Sequence, residues 1–428
     1  MTSSYRINYQ LRAHKRDPFI EFIKGMLLTP FTLHSKPRYE DTQSVSDTHD
    51  QNLNRYTEIM SNIEKLISEH IVKQNQGLAD HSQLFRLIPS IGSFFTPLPL
   101  KDAFLQANAK HSIAARRFVP PSFNDIRRTL NTAQAAAIAP QLKLITFDGD
   151  MTLYDDGQDF AKDSKLVLLL VELLKNNLYV AIVTAAGYGS DHIKYESRLS
   201  GLLEGFRQSQ LSKEQLSRFF VLGGECNYLF QCTEYCRLTY IPEERYQPEE
   251  MRAWKPDNIQ SLLDEALKNI QQCVDDMKLP VTVMRKPKAV GLLPKPGVRI
   301  FREQLDECVL STQAAILEHQ HANNYSLPFC VFNGGSDVWV DIGNKLIGVQ
   351  VLQHFLGAAP SETLHVGDQF LSTGNDFATR RACCTLWIIN PDETNQILVE
   401  LTDLLSQQPE RKSPKVESLE PAQITEEN

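Results

Sequence analysis

Four short apolar runs, at residues 142–147, 178–183, 363–366 and 383–389, punctuate a chain whose other apolar positions mostly recur at helical spacing. Each run is short and nearly continuous, which predicts strands buried on both faces. Residues 165–176 between the first two form an apolar helix, so the chain reads strand, helix, strand, and such a unit closes a parallel sheet. From about residue 188 to 332 the pattern changes. Amphipathic helices at 259–277 and 298–317 alternate with short strands at 219–222 and 281–284, which predicts an α+β domain inserted into the first. The proline- and lysine-rich piece at 285–297 reads as a loop. The parallel pattern then resumes with a strand at 338–341, a Gly343-Asn344 turn, and an apolar helix at 346–356 with Lys345 at its start.

Upstream, residues 35–54 are polar and read as a loop or linker. At 56–72 the positions Ile59, Ile63, Leu66, Ile67 and Ile71 give a helix one sticky face. That face fits packing within its own domain or an oligomer interface. Arg127 and Arg128 start or continue a further helix toward Ala139, and from Ser406 onward Gln, Pro, Ser, Lys and Glu dominate, as in a disordered tail. The expected organisation is a mainly helical amino-terminal region (1–135), an α/β core (136–187 and 333–405), an inserted α+β cap (188–332) and a tail (406–428).

Composition narrows the class. A chain of 428 residues with 42% hydrophobic and 22% charged residues is that of a globular protein of two or three domains. A formal net charge of −8 argues against a nucleic-acid binder. The eight cysteines follow no framework spacing and fit reduced thiols in a cytoplasmic protein. Cys226, Cys232 and Cys236 lack the CxxC knuckle of structural zinc sites. No segment has the apolar core of a signal peptide, and none is long enough to span a membrane.

The chemistry gathers at the ends of the strands. Asp148 and Asp150 follow the first run immediately, at the carboxyl edge where open α/β sheets bind ligands. Two carboxylates so close repel unless a hard cation such as Mg²⁺ sits between them, an arrangement suited to a phosphate ester. Asp-Gly is equally a common turn dipeptide, and the stretch alone fits a surface turn as well. Thr184 follows the second run with small residues after it, and Gly367-Asp368 ends the third, with Asn375 and Asp376 beyond. Arg116, Arg117, Arg127 and Arg128 crowd one region and suit either an anion site or surface ion pairs.

The ordered set, Asp-x-Asp-x-Thr-Leu, then Thr, then Lys, then Gly-Asp with a further Asp, resembles the haloacid dehalogenase superfamily of phosphohydrolases, and the insert resembles its type 2 caps. The phrases RRFVPPSFNDIRRTLN, FDGDMTLYDDG, GGSDVWVDIGNK and HVGDQFLSTGNDFATR resemble the IMP-specific 5′-nucleotidases as far as about Leu405. That resemblance implies a Mg²⁺-dependent hydrolysis of inosine 5′-monophosphate (IMP) to inosine and phosphate. Asp148 would be the nucleophile and Asp150 the general acid and base. Asp148, the Asp150 carbonyl and Asp368 would hold the metal, with Asp376 or Asn375 nearby. Thr184 and Lys345 would hold phosphoryl oxygens, and Asp156 and Asp337, which by themselves read as solvated loop acids, would contact substrate. It further implies a cytoplasmic homo-oligomer, a homotetramer, activated by ATP at the arginine region. The alternatives are a phosphatase of other nucleotides or sugar phosphates, and a catalytically silent nucleotide-binding protein.

Overall fold

The computed structural model describes residues 17–34 and 45–408. Its largest element is a seven-stranded sheet built from β1 (Leu144–Phe147), β2 (Tyr179–Val183), β3 (Phe219–Gly223), β4 (Tyr228–Cys232), β5 (Leu238–Tyr240), β10 (Thr363–Gly367) and β11 (Cys384–Trp387). Their order across the sheet is β11-β10-β1-β2-β3-β4-β5. The neighbours from β11 to β3 all pair in parallel, while β4 is antiparallel to both β3 and β5. Every residue of β1, β2, β3 and β10 is buried, which explains their nearly continuous apolar runs. The β1 strand lies between β10 and β2, so the crevice beyond its carboxyl end is flanked by both.

A second, antiparallel sheet is made of β6 (Val281–Lys286), β7 (Ala289–Pro294), β8 (Phe329–Asn333) and β9 (Val338–Ile342), in the order β6-β7-β9-β8. Val290, Leu292, Val338 and Val340 bury one of its faces against Leu262, Ile270, Leu305 and Ile316 of the helices Pro256–Met277 and Arg302–Ala322. The alternate positions, Lys286, Gly291, Trp339 and Asp341, make up the other face.

Three sequence expectations are corrected here. Residues 285–297 are not a loop, because they complete β6 and form β7; Pro287 sits at the hairpin turn and Pro294 at a strand end, where a missing N–H is harmless. The strand expected at 338–341 belongs to the second sheet, and that at 219–222 belongs to the first. Apolar patterning specified that these strands exist, but pairing partners depend on contacts far apart in sequence.

Helices Pro18–His34, Val45–Asn75, Leu100–His111 and Phe123–Ile138 share a separate core that includes Ile23, Tyr56, Met60, Phe104 and Ile126. The polar stretch at 45–54, read as loop, is the first part of the Val45–Asn75 helix; residues 35–44 lie outside the described part. The helix expected to start at or continue through Arg127 and Arg128 starts at Phe123, where Ser122 and Asp125 form a reciprocal cap. The core closes with the helix Pro391–Ser406, while most of the tail, residues 409–428, lies outside the described part. No helix among the described residues is long and apolar enough to cross a membrane.

Candidate active site

The ladder between β1 and β10 continues one residue past β1, the Asp148 N–H donating to the Val366 carbonyl at 2.8 Å. This fixes Asp148 at the carboxyl edge with only 6% of its surface exposed. The helix Lys345–Leu356 points its first residue at the same place, and Asn344 caps it by accepting from the Ile347 N–H at 3.0 Å. The fully buried Lys345 Nζ lies 2.7 Å from Asp148 Oδ1 and 2.7 Å from Asp376 Oδ1.

Asp376 is saturated. Its Oδ1 also meets His365 Nε2 at 3.0 Å, and its Oδ2 accepts from the Gln369 N–H at 2.9 Å. Its carboxyl fits only because residue 367 is glycine: a Cβ there would come within 2.4 Å of Asp376 Cγ. His365 reaches across to Thr146 Oγ1 at 2.8 Å through Nδ1, so β1, β10, the 376 turn and the lysine helix are joined through one buried network.

Asp368 is the opposite case. Its Oδ1 is shut off from solvent and has no hydrogen-bond partner. The carboxylates of Asp148, Asp368 and Asp376 offer oxygens all within 4.8 Å of one another. Burial pushes the Asp148 carboxyl up to about 8 against the pull of Lys345, with Asp376 and Asp150 adding to the rise. Burial together with Asp148 and Asp376 likewise raises Asp368 well above its ordinary range. For Asp376, burial is outweighed by Lys345 and His365, and its pKa falls. Burial works against the Lys345 ammonium, yet Asp148, Asp376 and Glu225 outweigh it and raise its pKa. One lysine thus faces more negative charge than it neutralises, and Asp368 supplies an oxygen with nothing to hold.

Thr184 follows β2, is 5% exposed and accepts from the Ala186 N–H at 3.1 Å. Its Oγ1 would lie 3.5 Å from a Cβ on Gly149, which puts it beside the Asp148–Asp150 turn. Asp150 belongs to a flap that also carries Tyr154 and Asp156. Its Oδ1 accepts from the Gly157 N–H at 3.1 Å and pairs with Arg198 at 2.6 Å. The flap meets the second sheet at the β8–β9 turn, where Asp156 Oδ2 approaches to 3.7 Å from a Cβ built on Gly335. In that turn, Asp337 Oδ2 accepts from Trp339 Nε1 at 2.8 Å. Burial raises the Asp337 carboxyl, with Asp156 and Asp150 contributing, and Asp156 is raised by burial and by Asp150.

The structure therefore gathers Asp148, Asp150, Thr184, Lys345, Asp368 and Asp376 at one sheet edge, with Asp156 and Asp337 at the junction with the second sheet. Three participants escaped the sequence reading. His365 had a signal, a lone histidine inside an apolar strand, which implies a buried partner. Glu225, fully buried in the β3–β4 turn and bonded to Asn375 Nδ2 at 2.9 Å, and Arg198 had none. Burial lifts Glu225 to about 8.

The arginines form a different assembly. Arg116 grips Asp125 with both terminal nitrogens, at 2.6 and 3.1 Å. Arg127, 1% exposed, does the same to Glu393 at 2.8 Å twice and also donates to the Trp387 carbonyl. Arg128 meets Glu393 at 3.2 Å, and exposed Arg117 lies 5.9 Å over the Phe118 ring.

A parallel-rich sheet carrying carboxylates and a buried lysine at its carboxyl edge is the architecture of an α/β enzyme that hydrolyses phosphoric monoesters. A sequence model of the IMP-specific 5′-nucleotidases matches residues 1–398. The chain is 44% identical to IMP-specific 5′-nucleotidase 1 of Yarrowia lipolytica over 95% of its length and 98% of the relative's. It is 42% identical to that of Schizosaccharomyces pombe, over 93% and 98% respectively. Among solved structures it resembles an IMP-bound mutant of Plasmodium falciparum IMP-nucleotidase, with a TM-score of 0.80, 36% identity and coverage of 91% of this chain and 94% of that one. The ATP-bound form of the Plasmodium enzyme matches with a TM-score of 0.78 and 33% identity, over 97% and 91%. The chain belongs to the IMP-specific 5′-nucleotidase family.

Proposed function

We propose that this protein hydrolyses IMP to inosine and phosphate through an aspartyl-phosphate, with Mg²⁺ as cofactor, on a haloacid dehalogenase-like core closed by a type 2 cap. The observation that carries the reading is the fully buried Lys345 between Asp148 and Asp376, beside an Asp368 oxygen with no partner. Asp148 attacks phosphorus as the bond to O5′ breaks, and Asp150 gives O5′ its proton. Water then attacks phosphorus, Asp150 takes its proton, and the Asp148 oxygen leaves. Thr184 and Lys345 hold the phosphoryl oxygens, Lys345 as a point charge. The acid cluster fits a hard cation, held by Asp148, Asp368 and the Asp150 carbonyl; bound there, Mg²⁺ would neutralise charge between carboxylate and phosphate. Asp376, both of whose oxygens are engaged, is assigned to Lys345 and not to the metal.

Asp156 and Asp337 are assigned to the nucleoside. The relative with ATP bound supports ATP binding; activation by that ATP and a homotetramer in the cytoplasm belong to the same reading. Phosphate release measured across the nucleoside monophosphates, with Mg²⁺ or EDTA, tests the function: IMP is expected to lead in kcat/KM, with no release in EDTA. Equal rates on all bases would point to a general phosphatase.

A further inference from the structure

Asp150 has to present its carboxyl to the leaving oxygen from a flap that packs unevenly: Thr152, Leu153, Tyr154 and Phe160 are buried, but residues 155–159 between them are all exposed. What ties the Asp150 carboxyl and the exposed part of the flap together is Arg198, the last residue of the helix His192–Arg198. Its Nη2 lies 2.6 Å from Asp150 Oδ1. Its Nη1 donates to the Gly157 carbonyl at 3.1 Å and lies 3.8 Å from Asp159. The guanidinium covers the Tyr154 ring at 5.2 Å, and the Arg198 carbonyl accepts from the Phe160 N–H at 2.8 Å. The tie is reinforced next door, where the Gly201 N–H donates to the Phe160 carbonyl at 3.2 Å; a Cβ at 201 would come within 2.3 Å of that oxygen. One planar cation thus meets the flap at its start, middle and end.

We propose that Arg198 is a positioning residue for the leaving-group step: it holds the Asp150 carboxyl where it serves O5′, and its loss slows cleavage of poor leaving groups without weakening substrate binding. The proposal rests on the assignment of Asp150 above. A planar fork that serves a carboxylate, a carbonyl and an aromatic face at once is a task for which lysine is only a partial substitute.

The test compares Arg198→Ala, Arg198→Lys and the wild type, with Mg²⁺, on IMP and on p-nitrophenyl phosphate, whose leaving group departs without a proton. Positioned general acids typically contribute about 10²- to 10⁴-fold, so Arg198→Ala is expected to lose roughly 100-fold in kcat on IMP. KM should stay within about threefold, since uniform binding is untouched. The first p-nitrophenolate per active site should appear at near the wild-type rate, and Arg198→Lys should recover part of the loss on IMP. Equal slowing of both first turnovers overturns the proposal and makes Arg198 a phosphate contact or a general support of the flap. A loss in KM with kcat kept overturns it as well. If the wild type does not favour IMP, the proposed substrate falls, and the same comparison on any alkyl phosphate it hydrolyses still decides the role of Arg198.

Discussion

Two buried charge clusters in this molecule are built to opposite ends. Around Arg127, two guanidinium groups are matched by carboxylate oxygens in two-pronged geometry, Arg127 to Glu393 and Arg116 to Asp125, and Arg128 adds a single contact to Glu393. Around Lys345, one ammonium faces Asp148, Asp376 and, at longer range, Glu225, and Asp368 has an oxygen without a partner. The carboxyl pKa values follow the same division, apart from Asp376, where burial is outweighed by Lys345 and His365, which saturate it and lower its pKa. At Glu393 and Asp125 burial is outweighed by the arginines and the pKa is lowered, whereas burial and crowding raise Asp148 and Asp368. A saturated cluster fastens the helical region to the core; an unsaturated one keeps its demand for a ligand. Burial of charge alone does not tell structure from function, but the unmet part does.

The sharpest way to break this contrast is Asp148→Asn. It removes one of the crowded carboxylates, so the fold should survive by thermal melting, while phosphate release falls by at least about 10⁴-fold, the scale on which enzymes lose rate with their nucleophile. Substantial residual turnover would remove Asp148 from that role. Lys345→Met is expected to strike both properties: it leaves Asp148 and Asp376 without their cation, at a cost of about 3–5 kcal/mol in denaturant unfolding, and it removes the phosphate anchor. Wild-type stability in that variant would mean that the lysine does not balance these acids.

Asp368→Asn separates the metal from the rest of the site. In the wild type Mg²⁺ should raise the melting temperature, as any ligand of the native state does. The variant should need on the order of 100-fold more Mg²⁺ for the same shift, at least what the loss of an outer-shell partner costs. An unchanged Mg²⁺ dependence would exclude Asp368 as a ligand.

How far each cluster was legible in the sequence follows from the same contrast. Asp148, Thr184 and Asp368 directly follow apolar strand runs, so periodicity alone led to them, and Lys345 was visible as a charge opening an apolar helix. The sheet to which a strand belongs was not legible, and β3 and β9 were each placed in the wrong one, since register is settled by distant partners. The arginines were legible as a cluster but not as saturated, because Glu393 lies 266 residues from Arg127 and nothing local joins them. Arg198, 48 residues from Asp150, was hidden for the same reason.

The smallest effect expected on activity belongs to Arg127→Ala, and it is the most diagnostic of the saturated cluster. Arg127 is nearly fully buried, so its removal leaves Glu393 with only the single contact from Arg128 and the Ile389 N–H, and should cost about 3 kcal/mol at neutral pH, while the folded enzyme keeps its kcat. The sign of the pH dependence follows from Glu393, whose folded pKa lies below its ordinary 4.5: burial opposes the shift, and Arg127 and Arg128 outweigh it. A depressed carboxyl stabilises the native state above its unfolded pKa and loses that contribution as the pH falls through the folded value. The stability gap between wild type and Arg127→Ala should therefore be flat from neutral pH down to about 4.5 and narrow below it. A gap that persists unchanged into acid would assign the cost to lost packing and to the Trp387 carbonyl, and would leave the ion pair with no part in fastening the helical region to the core.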